Sequence, residues 1–177
     1  MFNPENNKIF VSGSLDRVVR LWKIDNNLNP WQSETVQNEV TALSYSPNGK
    51  WLIVGLTTGM CTIFESKANA QLVYNTQIDC KNKQGVHACG RKVAGITFIN
   101  NNEILIQTND SRLRLYSLSE YKQVVKFKGN HNEHLQMIAS FYPKSELIAT
   151  GSEDGQVFVW DRKRLRRARQ SDDESVS

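Results

Sequence analysis

Residues 151–161 read Gly-Ser-Glu-Asp-Gly-Gln-Val-Phe-Val-Trp-Asp, and this stretch decides the fold. Apolar runs at 147–150 and 156–160 flank a tight turn at Glu153-Asp154-Gly155. Asp-Gly between alternating apolar runs is a strong hairpin signal, because the turn needs residues that accept positive φ. The second run ends in Trp160-Asp161. A short hairpin closed by an aromatic residue is therefore the unit to look for elsewhere in the chain.

Three earlier stretches align with it. The first runs from Phe2 through Ile9-Phe10-Val11-Ser12-Gly13 and Asp16 to Leu21-Trp22. The second runs from Tyr45-Ser46-Pro47 through Leu52-Ile53-Val54-Gly55 to Ile63-Phe64, and the third from Phe98 through Ile104–Asp110 to Leu115-Tyr116. The opening aromatics Phe2, Tyr45, Phe98 and Phe141 stand 43, 53 and 43 residues apart, so the middle interval carries an insertion. A period of roughly 40–45 residues with a hairpin and a terminal Trp-Asp resembles the WD40 repeat, one blade of a β-propeller.

Further strands are expected between the copies. Those at 40–45, 93–98 and 135–141 would be inner strands, and those at 31–36, 72–78 and 121–127 outer ones. No segment of helical period competes, since apolar residues come in runs of three to five bounded by Gly, Asn, Ser or Pro. The fold class is all-β: a partial β-propeller of about four WD40 blades. About fourteen strands make two complete blades and two ragged ones. The first copy has nothing before Phe2 to supply an inner strand, and the fourth stops at Asp161 without an outer one. A seven-bladed ring at this period needs roughly 300 residues. The missing blades are expected from a longer chain or another copy.

Composition supports a globular domain, with 39% apolar and 23% charged residues. No apolar run approaches the roughly 20 residues that span a bilayer. Residues 1–10 hold no apolar core of a secretory signal. Cys61, Cys80 and Cys89 are too few for a disulfide framework, so a reducing, cytoplasmic setting is expected. The net charge is +4, of which residues 162–177 contribute +3. The propeller is thus expected at 1–161, followed by a disordered basic-then-acidic tail at 162–177.

Within the repeats, Thr76-Gln77-Ile78, Gly90-Arg91-Lys92-Val93-Ala94-Gly95-Ile96 and Asn109-Asp110-Ser111-Arg112-Leu113-Arg114-Leu115-Tyr116 stand in a specific order. They are followed by Tyr121-Lys122, Lys126-Phe127-Lys128-Gly129 and Gln136-Met137-Ile138-Ala139-Ser140-Phe141. Over residues 2–160 this order resembles the C-terminal propeller of the rabphilin-like WD-repeat proteins, which bind a Rab GTPase on recycling endosomes. The resemblance implies a small GTPase partner and a role in vesicle trafficking. In those proteins the GTPase-binding and membrane-contact segments lie outside this part of the propeller. Phe64-Glu65, Tyr116-Ser117 and Trp22-Lys23 stand here where a strict repeat has Trp-Asp.

The WD40 resemblance also implies a structural role for Asp16, Asp110 and Asp154, which share one turn position. In such blades this Asp joins a buried network with His, Ser/Thr and Trp. Candidate partners are Ser12 with Trp22 in the first unit, and Thr150, Trp160 and His131 in the fourth. A buried carboxylate needs such partners.

Cys80, His87 and Cys89 have the spacing C-x6-H-x-C with no fourth ligand nearby, in a loop expected to face solvent. Zinc sites need four ligands in close pairs, so no metal is expected. No nucleophile elbow, phosphate loop, kinase set or dinucleotide fingerprint is present, so neither catalysis nor a cofactor is expected.

Two surfaces are candidates for partners. The 75–92 insertion carries Lys81, Lys83, Arg91 and Lys92, expected to be exposed. The tail carries Arg162, Lys163, Arg164, Arg166, Arg167 and Arg169, which could bind acidic lipid, an import receptor or nucleic acid. Ser171, before Asp172-Asp173-Glu174, resembles an acidic phosphorylation site whose modification would weaken such binding. The function read from the sequence is a non-catalytic protein-interaction scaffold in the cytoplasm, associated with endomembranes. The alternative is a nuclear or RNA-associated adaptor led by residues 162–169.

Overall fold

The computed structural model describes residues 1–24, 29–67, 71–80 and 91–164. They form four antiparallel sheets in chain order. Sheet 1 holds β1 (Ile9–Gly13), β2 (Val18–Lys23) and β3 (Gln32–Thr35). Sheet 2 holds β4 (Val40–Tyr45), β5 (Trp51–Leu56), β6 (Met60–Ser66) and β7 (Leu72–Asp79). Sheet 3 holds β8 (Val93–Asn100), β9 (Glu103–Thr108), β10 (Arg112–Ser117) and β11 (Lys122–Phe127). Sheet 4 holds β12 (Ser140–Tyr142), β13 (Leu147–Gly151) and β14 (Val157–Asp161). Each is a meander whose consecutive strands pair, the blade order of a partial WD40 propeller.

β5, β6 and β9 are largely apolar runs because both of their faces are covered, whereas β10 alternates Arg with Leu and buries Arg114 on its rear face. Ile53 and Ile63 point from sheet 2 toward sheet 3, while Leu52, Val54 and Phe64 point back toward sheet 1. Three buried clusters result, one between each pair of successive sheets. Gly13 and Gly55 permit the close approach. A Cβ there would lie 2.4 Å from Val40 Cγ1 and 2.5 Å from Val93 Cγ1, respectively.

The β1–β2, β5–β6, β9–β10 and β13–β14 hairpins repeat one backbone feature. Arg17, Gly59, Ser111 and Gly155 occupy the same turn position, with φ of 68°, 81°, 58° and 81°. Glycine takes this left-handed conformation without steric cost, whereas Arg17 and Ser111 take it under turn constraint. The Asp-Gly pair of the fourth unit is the most favourable version of a turn that all four share.

Two edges differ from expectation. The inner strand expected at 135–141 is only Ser140–Tyr142. Residues before it make side-chain contacts instead of a ladder: Gln136 Nε2 donates to Thr41 O at 3.0 Å and to Ala94 O, and Thr97 Oγ1 donates to Ala139 O at 2.6 Å. At the other end, Met1 and Val11 exchange hydrogen bonds (2.7 and 2.8 Å), and Phe2 bridges Phe10. Residues 1–3 thus lie along the inner edge of β1, where no strand was expected.

The boundary at residue 161 also moves. Arg162 is buried, and its Nη2 lies 2.5 and 2.6 Å from the two carboxylate oxygens of Glu103. Its guanidinium sits 6.0 Å from the Phe141 ring centroid. Asp161 Oδ1 accepts from the backbone N–H groups of Lys163 (2.9 Å) and Arg164 (3.3 Å) as a short helical turn begins. Arg162 therefore belongs to the folded unit and clamps sheet 4 to sheet 3. Lys163 and Arg164 are exposed. Arg166, Arg167, Arg169 and Ser171 lie outside the described residues.

Candidate functional site

One end of the assembly collects the β1–β2, β5–β6, β9–β10 and β13–β14 turns and the connections that lead from one sheet to the next. Backbone hydrogen bonds tie each turn to a connection. Val36 N donates to Arg17 O (2.8 Å), Thr57 N to Glu39 O (3.0 Å), Cys80 N to Gly59 O (3.0 Å) and Asn109 N to Lys92 O (3.0 Å). Ser111 N donates to Asn132 O (3.1 Å) and Glu153 N to His131 O (2.8 Å). Loops held this way on a sheet frame make a fixed surface, the usual setting for binding.

The most elaborate part lies between sheets 3 and 4 and is organised by Glu153, which sequence reasoning passed over. Its Oε1 accepts from the backbone N–H groups of Glu133 (3.0 Å), His134 (2.7 Å) and Leu135 (2.7 Å). Three N–H donors favour the ionised carboxylate and hold its pKa below the usual glutamate range. Beneath it, the Asn132 amide donates to Leu135 O (3.0 Å) and Glu153 Oε1 (3.2 Å) and accepts from Gln107 Nε2 (3.3 Å). Gln107 and Thr150 then pair across the two sheets, at 3.1 Å from Nε2 to Oγ1 and 3.2 Å from Oγ1 to Oε1. This buried chain fixes the 131–138 segment, on which Leu135 is 55% and Ile138 62% exposed. A connection anchored through its backbone thereby presents apolar side chains outward.

The predicted blade residues divide. Trp22 Nε1 donates to Ser12 Oγ at 2.8 Å. Asp16, expected in a buried network, is exposed and holds Arg20 at 2.7 Å; that hydrogen bond lowers its pKa. Asp110 is buried, but its partners are Arg114 and Thr108 rather than His and Trp. Arg114 Nη2 pairs with Asp110 Oδ2, while Thr108 Oγ1 donates to Asp110 Oδ1 and accepts from Arg114 Nη1, both at 2.5 Å.

In the fourth unit the expected network does not assemble. Asp154 is exposed and bonds within its own turn, its Oδ1 accepting from Gln156 N at 3.1 Å. Thr150 turns to Gln107. Trp160 packs on Phe127 and Phe158, with ring centroids 5.4 and 5.9 Å away. His131 is half exposed, its ring 3.6 Å from Glu153 and 3.8 Å from Glu133. The reason is local: the apolar Phe158 fills the position that Arg114 holds in sheet 3, so nothing draws the Asp154 carboxylate inward.

The insertion is shorter than expected, because residues 75–79 belong to β7. Arg91 and Lys92 are half-buried rather than exposed. Lys81, Lys83, His87 and Cys89 lie outside the described residues. Cys80 does not face solvent. It is buried with its sulfur 4.0 Å from that of Cys61.

Comparison with known proteins agrees with this architecture. The family model of the anaphase-promoting complex subunit 4 WD40 domain matches residues 16–100, and that of the WD domain, G-beta repeat, matches 2–23 and 121–161. The chain is 37% identical over 162 residues to WD repeat-containing protein 44 of Xenopus laevis, covering 90% of this chain and 17% of that protein. It is 29% identical over 166 residues to an uncharacterised WD repeat-containing protein of Schizosaccharomyces pombe, covering 90% and 28%. Jouberin of Mus musculus is 24% identical over 168 residues, covering 90% and 16%. The chain spans less than a third of the length of each of these relatives. Four sheets with the blade strand order, together with WD40-type models that match residues 16–100 and residues 2–23 and 121–161, support a WD40-repeat architecture for this chain.

Proposed function

We propose that the chain is a non-catalytic scaffold whose loop end docks protein partners, among them a small GTPase of the Rab class in vesicle trafficking. The observation that carries the docking surface is the Glu153-anchored connection, which holds exposed Leu135 and Ile138 on a backbone bonded into two sheets. Apolar side chains on a fixed, polar-rimmed segment are the composition of an interface core. The GTPase class comes from the resemblance of the 90–96 and 109–116 segments to rabphilin-like proteins; their own GTPase-binding segments lie outside this part of the propeller, so the loop end as a docking site here is carried by exposed Leu135 and Ile138 alone. That reading places the chain in the cytoplasm at endomembranes. The nuclear or RNA-binding alternative loses Arg162, which is engaged with Glu103, and rests on the cations from Lys163 onward.

The test is binding of Rab-class GTPases, loaded with GTP or GDP, to the wild-type chain, to a Leu135→Glu/Ile138→Glu variant and to a Tyr74→Glu variant on the far edge of sheet 2. The expected result is GTP-dependent binding that only the loop-end variant loses. Equal binding by all three removes the loop end as the site, and absence of binding by any GTPase removes the Rab reading.

A further inference from the structure

Among the outer strands, β7 is the one whose free edge carries no blocking residue. β3 is four residues long, and β11 carries Lys122 and Lys126, whereas 72–78 holds neither a charged residue nor a proline. Short edges, lysines and prolines are the usual protections against strand addition. The ladder decides which β7 groups face outward. Lys67 N donates to Gln71 O (2.9 Å) and Cys80 N to Gly59 O (3.0 Å), which makes both ends hydrogen-bonded pairs. Alternation on either side of the irregularity at Ile63/Phe64 then turns the N–H and C=O of Leu72, Tyr74 and Gln77 away from β6.

The first of these rungs is already taken by an amide. Gln32 Nε2 donates to Leu72 O at 2.8 Å, and Leu72 N donates to Gln32 Oε1 at 2.8 Å. The Gln32 side chain thus makes the two bonds that a residue of an added strand would make. The rungs at Tyr74 and Gln77 have no such partner among the described residues.

A cleft opens beside those two rungs. Tyr74 lies edge-on to Phe64, with ring centroids 6.3 Å apart, and Gln77 Nε2 donates to Thr62 Oγ1 at 3.3 Å. With Glu34 and Val36, at the end of β3, these residues wall a space of about 290 Å³ between sheets 1 and 2. Directly opposed residues of neighbouring strands share a face, so a residue paired with Tyr74 or Gln77 would turn its side chain into this space. The lining holds one carboxylate, Glu34, and no lysine, arginine or histidine. Glu34 Oε1 accepts from Gln32 Nε2 at 2.6 Å, and no cation meets it among the described residues. Packed sheets stand roughly 10 Å apart, so only a long side chain crosses from one to the other. Arginine has that length, pairs with a carboxylate through its planar fork and stacks on an aromatic ring.

We propose that the outer edge of β7 adds an extended segment of a partner protein as a fifth strand, bonded to the backbone of Tyr74 and Gln77, with an arginine of that segment seated between Tyr74 and Glu34. Main-chain bonds supply the affinity of such a contact and the cleft supplies its side-chain preference. This surface is separate from the loop end that carries Leu135 and Ile138.

Selection of a random peptide library on the 177-residue chain tests this. The expected enriched sequences are proline-free, rich in β-branched residues and carry an arginine. A synthetic enriched peptide should protect the Tyr74 and Gln77 amides from hydrogen exchange, read by NMR. Methylating its backbone nitrogens at alternate positions should weaken binding in one register and leave it unchanged in the other. Glu34→Gln keeps an oxygen to accept from Gln32; it should weaken the arginine peptide about tenfold, the scale of one charged hydrogen bond, and leave the peptide's Arg→Leu version unaffected. No enriched peptide, full binding to Glu34→Gln, insensitivity to methylation in either register, or protection at 133–135 in place of Tyr74 and Gln77 would each overturn the proposal.

Discussion

Sheets 1 and 3 carry the same Asp-x3-Arg pair at the same turn, Asp16 with Arg20 and Asp110 with Arg114, in opposite surroundings. Side-chain exposure is 46% and 31% in sheet 1 but 3% and 1% in sheet 3. Both arginines point backward from their sheets. Sheet 2 covers the rear of sheet 3, and nothing among the described residues covers the rear of sheet 1. The covering neighbour, not the local sequence, converts a solvated ion pair into a buried one. Removing one member of a buried pair leaves the other charge uncompensated, whereas an exposed pair is screened by water.

The largest predicted effect follows directly. Asp110→Asn should destabilise the fold by about 3–5 kcal/mol, because Arg114 then has no carboxylate in a dry site. Asp16→Asn should leave the denaturation midpoint unchanged, because the exposed pair is screened by water. Urea unfolding of both variants makes the comparison. Equal losses would show that the turn itself, and not the covering sheet, sets the value of the pair.

A second comparison sets Arg162 against Arg164, two residues apart in what reads as one basic tract. Arg162 is 5% exposed on Glu103, while Arg164 is 88% exposed with its Nε 3.9 Å from Asp161. Arg162→Ala should cost roughly 2 kcal/mol, in line with loss of a charged hydrogen bond. Arg164→Ala should leave thermal unfolding unchanged. If the two variants unfold alike, Arg162 belongs functionally with the tail, and the folded unit ends at Asp161.

The strand plan was readable because its signals are local. Aromatic residues at 2, 45, 98 and 141, and a hairpin in each unit, locate the β1–β2, β5–β6, β9–β10 and β13–β14 pairs. The networks were not readable, because their partners are chosen by register and by the neighbouring sheet. Arg114 looks like any strand arginine until sheet 2 covers it. Glu153 looks like a turn acid until the 131–138 connection folds over it. Arg162 reads as tail because nothing in the sequence brings it to Glu103, 59 residues earlier. The expected Asp–His–Thr–Trp network failed in the fourth unit for the same reason: Phe158 replaces an arginine that only the comparison with sheet 3 makes visible.

The smallest predicted effect contrasts Glu153 with its neighbour Asp154. Hydrogen bonds lower both pKa values, but the donors differ: the backbone of 133–135 for Glu153, and first Ser152 and then Gln156 within the same hairpin for Asp154. A carboxylate whose folded pKa is depressed contributes stability above its unfolded pKa and loses it as pH falls through the folded value. Glu153 should thus tether the connection at neutral pH and release it on acidification below the ordinary glutamate range. Amide exchange read by mass spectrometry should show protection at 133–135 falling over that acid window, after correction for the intrinsic pH dependence of exchange. In Glu153→Gln the same amides should be less protected at neutral pH and show no further acid step. Asp154→Asn should leave their acid step where it is. An acid step that persists in Glu153→Gln would mean that another ionisable group sets it, with the Glu153 carboxylate only resting against the connection.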